Sequence, residues 1–417
     1  MSVGELRPRE RTESGRSGSG ESRMAALAAR LVDEDAFAGI AWRVVQRGRT
    51  VEEGVAGHAD HARRRALAPD ALYRLYSMTK PVVSVAALQL IEAGALSLDA
   101  PIGRWLPAFG TSRVLDADGR LHDAARSITV EDLLTHRAGL SYDFLPGCPV
   151  ATLCRDARFA EDGSRSLEAL AEALAALPLA SSPGETFRYS YATDVLAHLL
   201  ERVLDKPLRE VLGERLLGPL GMDETAFGVS PEARSRLVDM HGMRALGEVP
   251  ETLPPGVEPE QTLRPMDVSA SYPADAAGTF ARGGIGLFST LDDYMRFVEL
   301  LSEGRASSGE VLLSAPMLDM LWRNRLSAAQ LPVRVGDKAM PGYGWGLIGR
   351  VMLDTGAAMH LTVEGEGGWA GAASTWFWVD RTNGIGGVVL AQFLGSAVPL
   401  GPLMQAAAYA GFERGAR

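Results

Sequence analysis

The most informative segment of the chain reads SMTKPVVSVAALQLIEAG, from Ser77 to Gly94. Ser77 and Lys80 are three residues apart, so on a helix their hydroxyl and amine lie on one face. Pro81 suits the first turn of a helix, where its missing N–H costs nothing, and the apolar residues that follow occupy nearly the whole circumference. The pattern predicts a buried helix with a serine and a lysine at its N-terminal end.

This pair of side chains has a chemical meaning of its own. A serine hydroxyl becomes a good nucleophile only when a neighbouring base takes its proton. A lysine serves as that base if burial or nearby cations keep part of it neutral, and the mouth of a buried helix supplies such surroundings. Ser-x-x-Lys also occurs by chance at exposed helix starts, so the four residues alone leave both interpretations open. With the apolar helix behind it, the motif indicates an acyl-transfer enzyme.

Composition limits the class of protein. A chain of 417 residues, 46% hydrophobic and 23% charged, can bury a substantial core. Its net charge of −10 argues against a nucleic-acid partner, and its apolar segments are too short to span a membrane. Residues 1–25 lack the apolar core of a secretory signal and predict a disordered tail. We therefore expect a cytoplasmic protein without metal or cofactor, in which Cys148 and Cys154 are free thiols.

The hydrophobic periodicity predicts β-rich ends around a helical centre. Residues 39–45 and 51–57 alternate like a β-hairpin, and helical spacing recurs between residues 128 and 222. Later strands are predicted at 344–353, 376–379 and 387–393, followed by a closing helix at 400–409. The proline-rich residues 248–273 have no periodicity and predict a long surface excursion.

A second candidate element is PGETFRYSY, residues 183–191, a turn that leads into a helix. A phenol with a lowered pKa can take the proton of a serine and later deliver it to a leaving group, if an ammonium stabilises the phenolate. Tyr189 is the candidate phenol and Lys80 the candidate ammonium. Taken alone, Tyr189 and Tyr191 are better explained as ordinary half-buried aromatic residues.

A third element is GGWAGA, residues 367–372, whose small residues let a substrate approach the backbone of a strand. Acyl transfer passes through a tetrahedral intermediate, which needs two N–H donors aimed at the developing oxyanion. The backbone N–H groups of Ser77 and Ala372 are the candidates. A glycine-rich strand entry without any ligand is the alternative interpretation.

Three further motifs occur in the same order along the chain: LLTHRAGL at 133–140, LGPLGM at 217–222 and GGIGLFST at 283–290. Together with the three elements above, they make residues 28–410 resemble the serine β-lactamase and penicillin-binding-protein superfamily. The resemblance is to its class C-like branch, which includes the family VIII carboxylesterases.

The resemblance implies an α/β fold of the β-lactamase type, an antiparallel sheet flanked by helices with a mostly helical second subdomain. It implies a catalytic domain at 26–410, whose sheet subdomain comprises 26–110 and 280–410 and whose helical subdomain comprises 111–279. It further implies that Ser77 is acylated, that Lys80 and Tyr189 form its general-base pair, and that the Ser77 and Ala372 amides form the oxyanion hole. We expect the substrate-binding residues to be Tyr142, Asp143, Tyr191, Trp345, Trp369 and Gly371.

Two departures from the family pattern bear on the substrate. Where β-lactamases carry Tyr-x-Asn, this chain has Tyr189-Ser190-Tyr191, which lacks the amide that would hold an acylamino group. Where they carry Lys-Thr-Gly, it has Trp369-Ala370-Gly371, which lacks the cation that would hold a carboxylate. The Trp-x-Gly arrangement is similar to that of the esterase branch, so ester hydrolysis is the leading expectation.

Other readings remain open. An acyltransferase of the same mechanism, and a β-lactamase or D-amino-acid peptidase, would use the same residues. A catalytically silent binding protein of the same fold would keep the motifs without the activity. In each enzymatic reading the partner is a small molecule, and the sequence does not specify the oligomeric state.

Overall fold

A computed structural model of the chain describes residues 22–116, 118–243, 263–275 and 278–412. Within these residues the α-helices are α1 Arg23–Asp33, α2 Thr79–Glu92, α3 Val130–Leu134, α4 Pro149–Asp156, α5 Leu167–Ala175, α6 Ala192–Leu204, α7 Leu208–Leu212, α8 Gly218–Leu220, α9 Leu291–Glu303, α10 Ala315–Leu321 and α11 Leu400–Tyr409. The strands are β1 Gly39–Gln46, β2 Arg49–Gly57, β3 Tyr73–Arg74, β4 Arg113–Leu115, β5 Leu121–Asp123, β6 His241–Gly242, β7 Phe288–Ser289, β8 Val333–Val335, β9 Lys338–Met340, β10 Tyr343–Trp345, β11 Arg350–Met352, β12 Gly367–Gly371, β13 Thr375–Asp380, β14 Ile385–Leu390 and β15 Phe393–Leu394.

The main sheet has seven antiparallel strands in the order β10-β11-β12-β13-β14-β1-β2. It joins strands from both ends of the chain, because β1 pairs with β14. Successive side chains of a strand point to opposite faces. On β13, Trp376 and Trp378 pack with α1 and α11, whereas Phe377 and Val379 belong to the core on the side of α9. The predicted fold, an antiparallel sheet flanked by helices, is confirmed.

Helix α2 lies at the centre of the molecule. It is apolar nearly all round, and all of its 14 residues except Gln89, Ile91 and Glu92 are buried. One side packs against α6 and α7, while the short 3₁₀ turn that precedes it, Tyr76–Met78, packs against β12 and β13. A helix without a polar face is stable in water only when other elements cover it. This position therefore brings the N-terminal end of α2 to the junction of the sheet and the helical region.

Local sequence signals account for several element boundaries. Thr129 caps α3, accepting a hydrogen bond from the backbone N–H of Asp132, while the Asp132 carboxylate accepts one from the Thr129 backbone. The hairpin predicted around residues 39–57 is β1–β2, and the helix predicted at 400–409 is α11. The single strand predicted at 344–353 is wrong, because β10 and β11 are separate strands joined by a turn.

The predicted bounds of the N-terminal tail and of the surface excursion can be compared with the structure only in part. Residues 1–21 of the expected tail lie outside the described residues, but α1 begins at Arg23, inside the range given to the tail. Most of the expected excursion at 248–273 also lies outside the described residues. Its last part, residues 263–273, is mostly exposed or half-buried, and Val268 and Tyr272 anchor it in a core cluster. No helix in the described part of the chain has the length and apolarity needed to cross a membrane.

Candidate active site

Ser77 lies on the 3₁₀ turn that opens α2. The preceding residue, Tyr76, has a φ of +48°, a left-handed conformation that costs a tyrosine about 1–3 kcal/mol. Packing holds it there, because the Tyr76 ring is buried and lies 4.9 Å from the ring centre of Tyr272. The turn places Ser77 on the wall of a cavity rather than within the core.

Lys80 is placed one turn along α2, as its spacing from Ser77 predicts. Its Nζ donates to Ser77 Oγ at 3.0 Å and to the backbone oxygen of Gly284 at 2.8 Å. The side chain is only 2% exposed, and this burial lowers the Lys80 pKa to about 7, with Asp194 acting in the opposite direction. A substantial fraction of Lys80 is therefore a neutral amine near neutral pH, within hydrogen-bond reach of the serine hydroxyl.

Tyr189 completes the group of three. Its side chain is hydrogen-bonded to Ser77, and its Oη accepts a hydrogen bond from Trp369 Nε1 at 3.0 Å. Lys80 Nζ lies 4.8 Å from the centre of the Tyr189 ring. The structure thus brings the alcohol, the amine and the phenol together.

The protonation state of Tyr189 differs from the expectation. Burial raises the pKa of Tyr189, and the hydrogen bonds from Ser77 and Trp369 offset that effect only in part. The condition of a lowered phenol pKa is therefore not met in the free protein. Since Lys80 is the group whose pKa is brought near neutrality, its amine is the better initial acceptor of the serine proton.

The candidate oxyanion residue Ala372 follows β12, on the turn after Gly371, and lines the same cavity as Ser77. The edge of β12 approaches the nucleophile turn closely. A Cβ at Gly371 would lie 2.2 Å from both the Leu75 oxygen and Thr375 Oγ1, and Thr375 Oγ1 donates to the Leu75 oxygen at 3.2 Å. Glycine is needed at 371 because any side chain would push this strand away from the turn that carries Ser77.

The cavity has a volume of about 630 Å³, a size suited to a small-molecule ligand. Five of the six predicted substrate-binding residues line it, namely Tyr142, Asp143, Tyr191, Trp369 and Gly371. Trp345 is not among the lining residues. It is 2% exposed, donates its indole N–H to the Leu134 oxygen at 3.2 Å, and packs edge-on behind Trp369. Its contribution is to support the Trp369 ring.

The tyrosine that replaces the family asparagine has its own partner. Tyr191 Oη donates to Asp143 Oδ2 at 3.2 Å, and the backbone N–H of Ala160 donates to the same oxygen at 3.2 Å. The Tyr191 ring also lies 4.3 Å from that of Tyr142. Its hydroxyl is thus directed towards Asp143 at the cavity wall, which leaves an aromatic surface where the family amide would stand.

Sequence analysis missed two charged residues of the site, Asp194 and Arg282. Both line the cavity and both are 2% exposed. Asp194 Oδ1 accepts a hydrogen bond from the Gly284 N–H at 3.0 Å, and Arg282 Nη2 donates to the Asp162 oxygen at 2.8 Å. A usable signal was present in each case, since Asp194 follows the tyrosine motif by one helical turn and Arg282 directly precedes the GGIGLFST motif.

His136, within the LLTHRAGL motif, has a packing role. Its ring lies 4.6 Å from that of Tyr189, and its Nδ1 is 3.4 Å from Ser190 Oγ. Burial lowers the His136 pKa well below its usual value, and the positive charge of Lys80 adds to this effect. The imidazole is therefore neutral and supports the Tyr189 ring.

Known proteins resemble this chain over most of its length, both in sequence and in structure. The family model described as Beta-lactamase matches residues 24–410. Esterase EstB of Burkholderia gladioli is 31% identical over 93% of this chain and 96% of its own length, and the lovastatin esterase of Penicillium rubens is 30% identical over 76% and 78%. A solved structure of EstCE1, described as a hydrolase with promiscuous acyltransferase activity, superposes with a TM-score of 0.77 at 27% identity, covering 93% of this chain and 97% of EstCE1.

Proposed function

Because this chain belongs to the beta-lactamase family, we propose that it hydrolyses neutral carboxylic esters of short to medium acyl chains through an acyl-enzyme on Ser77. The observation that carries the proposal is the 3.0 Å contact between Lys80 Nζ and Ser77 Oγ, with Tyr189 bonded to the same serine. The named esterases among its relatives support the reaction class. The composition supports a cytoplasmic enzyme with no nucleic-acid partner.

The proposed reaction follows from these contacts. Ser77 Oγ attacks the ester carbonyl carbon while its proton passes to the Lys80 amine, and the oxyanion is held by the backbone N–H groups of Ser77 and Ala372. The tetrahedral intermediate collapses as Tyr189 protonates the departing alcohol, with Lys80 returning the proton to Tyr189. Water then attacks the acyl-enzyme by the same route and releases the acid.

The cavity walls support neutral esters as the substrate class. Trp369 stands where the family lysine would hold a carboxylate, and its indole N–H is already donated to Tyr189. Tyr191 stands in place of the family amide and is bonded to Asp143. Binding of a penicillin-like acid would leave its carboxylate without the usual cation, so a β-lactam is a poor fit.

Acyl transfer is a second candidate function. A cavity of about 630 Å³ is larger than a short-chain ester needs, which leaves room for an acceptor alcohol beside the acyl-enzyme. EstCE1 is described as having promiscuous acyltransferase activity, and this relative supports the same second reaction here. Adding alcohols during ester turnover and measuring the new ester by mass spectrometry tests it.

The primary test uses p-nitrophenyl butyrate. The wild-type protein is expected to release p-nitrophenol with a burst equal to the enzyme concentration if deacylation is slow, and mass spectrometry should find the acyl group on the peptide that contains Ser77. Ser77→Ala should abolish turnover. Ser84→Ala, which alters a buried serine of α2 that does not line the cavity, should retain it.

Three outcomes would count against the proposal. Full activity in Ser77→Ala would show that Ser77 is not the nucleophile. Rapid turnover of nitrocefin would favour a β-lactamase. Failure of a fluorophosphonate probe to label Ser77 would favour a catalytically silent binding protein.

A further inference from the structure

We propose that Asp194 is a positioning residue, which holds Lys80 in place through the backbone of Gly284 and supplies the negative charge that Lys80 faces. The inference rests on the proposed function, because it concerns the residue that activates Ser77. It assigns a task to a buried carboxylate that the reaction described above does not use.

The geometry forms a continuous chain of hydrogen bonds. Asp194, in the first turn of α6, accepts from the Gly284 N–H at 3.0 Å. The Gly284 oxygen then accepts from Lys80 Nζ at 2.8 Å, and Lys80 Nζ donates to Ser77 Oγ at 3.0 Å. One end of Gly284 is thus fixed by Asp194 and the other orients the lysine. Displacing the carboxylate would free the acceptor that aims Lys80 at the serine.

The packing around Gly284 leaves little freedom for another arrangement. A Cβ added at Gly284 would lie 2.4 Å from Asp194 Oδ2 and 2.9 Å from Tyr142 Oη. Both oxygens therefore lie against the backbone at this point. Glycine at 284 lets the carboxylate approach the main chain closely enough to fix it.

Charge is the second part of the role. Burial disfavours the Lys80 ammonium, and Asp194 is the group that acts against this effect. Burial also raises the Asp194 pKa, whereas Arg282 and Lys80 lower it and so favour the carboxylate. The other titratable groups near the pair are the neutral side chains of His136, Tyr142, Tyr189 and Tyr191. The carboxyl of Asp143 lines the same cavity, where it accepts a hydrogen bond from Tyr191. Asp194 thereby raises the pH at which Lys80 changes from ammonium to amine, against the larger effect of burial.

The test separates charge from position. Asp194→Asn keeps an oxygen that can accept from the Gly284 N–H but removes the negative charge. The Lys80 ammonium is then less stable, so the acidic limb of the kcat/KM–pH profile for p-nitrophenyl butyrate should move to lower pH by about one unit. Asp194→Ala removes the oxygen as well, and kcat should fall at every pH while KM for this small ester changes little.

Asp293→Asn is the matched control. Asp293 also lies in the first turn of a helix, α9, is 2% exposed, and accepts from a backbone N–H, that of Glu224, at 2.9 Å. Burial raises its pKa as it does that of Asp194, but Asp293 does not line the cavity. This variant should lose stability without moving the acidic limb.

An unmoved acidic limb in a folded Asp194→Asn protein would overturn the proposal. If that variant does not fold, Asp194→Glu keeps the charge while moving the carboxylate by one methylene. It should lower kcat without shifting the acidic limb of the pH profile. An unchanged kcat would overturn the positioning role. The proposed function fails separately, through the Ser77→Ala result, because that variant does not depend on Asp194.

Discussion

Replacing Trp369 by phenylalanine tests whether Tyr189 carries negative charge during the reaction. The Trp369 indole N–H donates to Tyr189 Oη at 3.0 Å, inside the buried part of the site. Since burial raises the Tyr189 pKa, a phenolate can form there only with donors and a cation close to its oxygen. Phenylalanine keeps an aromatic wall and removes one of those donors.

The size of the effect follows from this single hydrogen bond. A hydrogen bond to a charged group contributes about 1.5–3 kcal/mol, against about 1 kcal/mol for a neutral one. Each 1.36 kcal/mol of transition-state stabilisation corresponds to a tenfold change in rate. The free enzyme already makes the neutral bond, so only the difference, about 0.5–2 kcal/mol, is lost from the transition state. If the Tyr189 oxygen becomes charged as it protonates the leaving alcohol, Trp369→Phe should lower kcat/KM about 2- to 30-fold. The loss should be in kcat, because the contact strengthens in the transition state.

The assay compares kcat and KM for p-nitrophenyl butyrate between Trp369→Phe and Trp322→Phe. Trp322 is also buried and also donates its indole N–H, but to the backbone oxygen of Leu301 at 3.5 Å and away from the cavity. Its replacement should cost stability with kcat changed less than about twofold. Thermal melting of both variants separates lost folding from lost catalysis.

The reasoning is refuted if folded Trp369→Phe loses less than about twofold in kcat relative to wild type. Tyr189 would then remain neutral throughout, and Lys80 alone would handle the proton. A large rise in KM with an unchanged kcat would instead show that Trp369 only forms part of the substrate wall.

Two further predictions concern the framework of the site. Gly371→Ala places a methyl group 2.2 Å from the Leu75 oxygen, so β12 must shift and activity should fall at least tenfold. Gly213→Ala is the control, because its added methyl group meets nothing within 4 Å, and it should change neither activity nor thermal melting appreciably. Glu366→Leu leaves the buried Arg350 guanidinium without its carboxylate partner. The two now form a 2.8 Å ion pair at 0% exposure, and its loss should cost about 3–5 kcal/mol in urea unfolding. Breaking the exposed Lys206–Glu214 pair by Glu214→Gln should cost less than about 1 kcal/mol, and equal costs for the two pairs would contradict the burial argument.

Much of the candidate site follows from local sequence. The Ser77 and Lys80 spacing needs only a helix to bring the two side chains together, and the apolar run behind them requires that the helix be buried. The capping signal at Thr129 and the hairpin at residues 39–57 are similarly local. Such features depend on neighbours within a few residues, which is why pattern and propensity predict them.

Other features depend on contacts between distant parts of the chain. Trp345 and Trp369 are both aromatic residues of sheet strands, and only the packing shows that one lies behind the other. The direction of the Tyr189 pKa shift depends on how deeply the phenol is buried. The positions of Asp194 and Arg282 beside two motifs were visible in the sequence, but their burial in the cavity wall depends on distant contacts.

The sequence by itself determined the family, the antiparallel sheet with its helices, and the three side chains of the proposed chemistry. The order and spacing of the motifs carry this information, and both can be read directly from the chain. Only the tertiary structure decided the protonation of those side chains and the arrangement that aims them. Lys80 reaches Gly284 across 204 residues of chain, and Gly284 reaches Asp194 across 90. The pKa of a group is set by the solvent and charges removed from or brought around it, and those are fixed only when distant segments pack together.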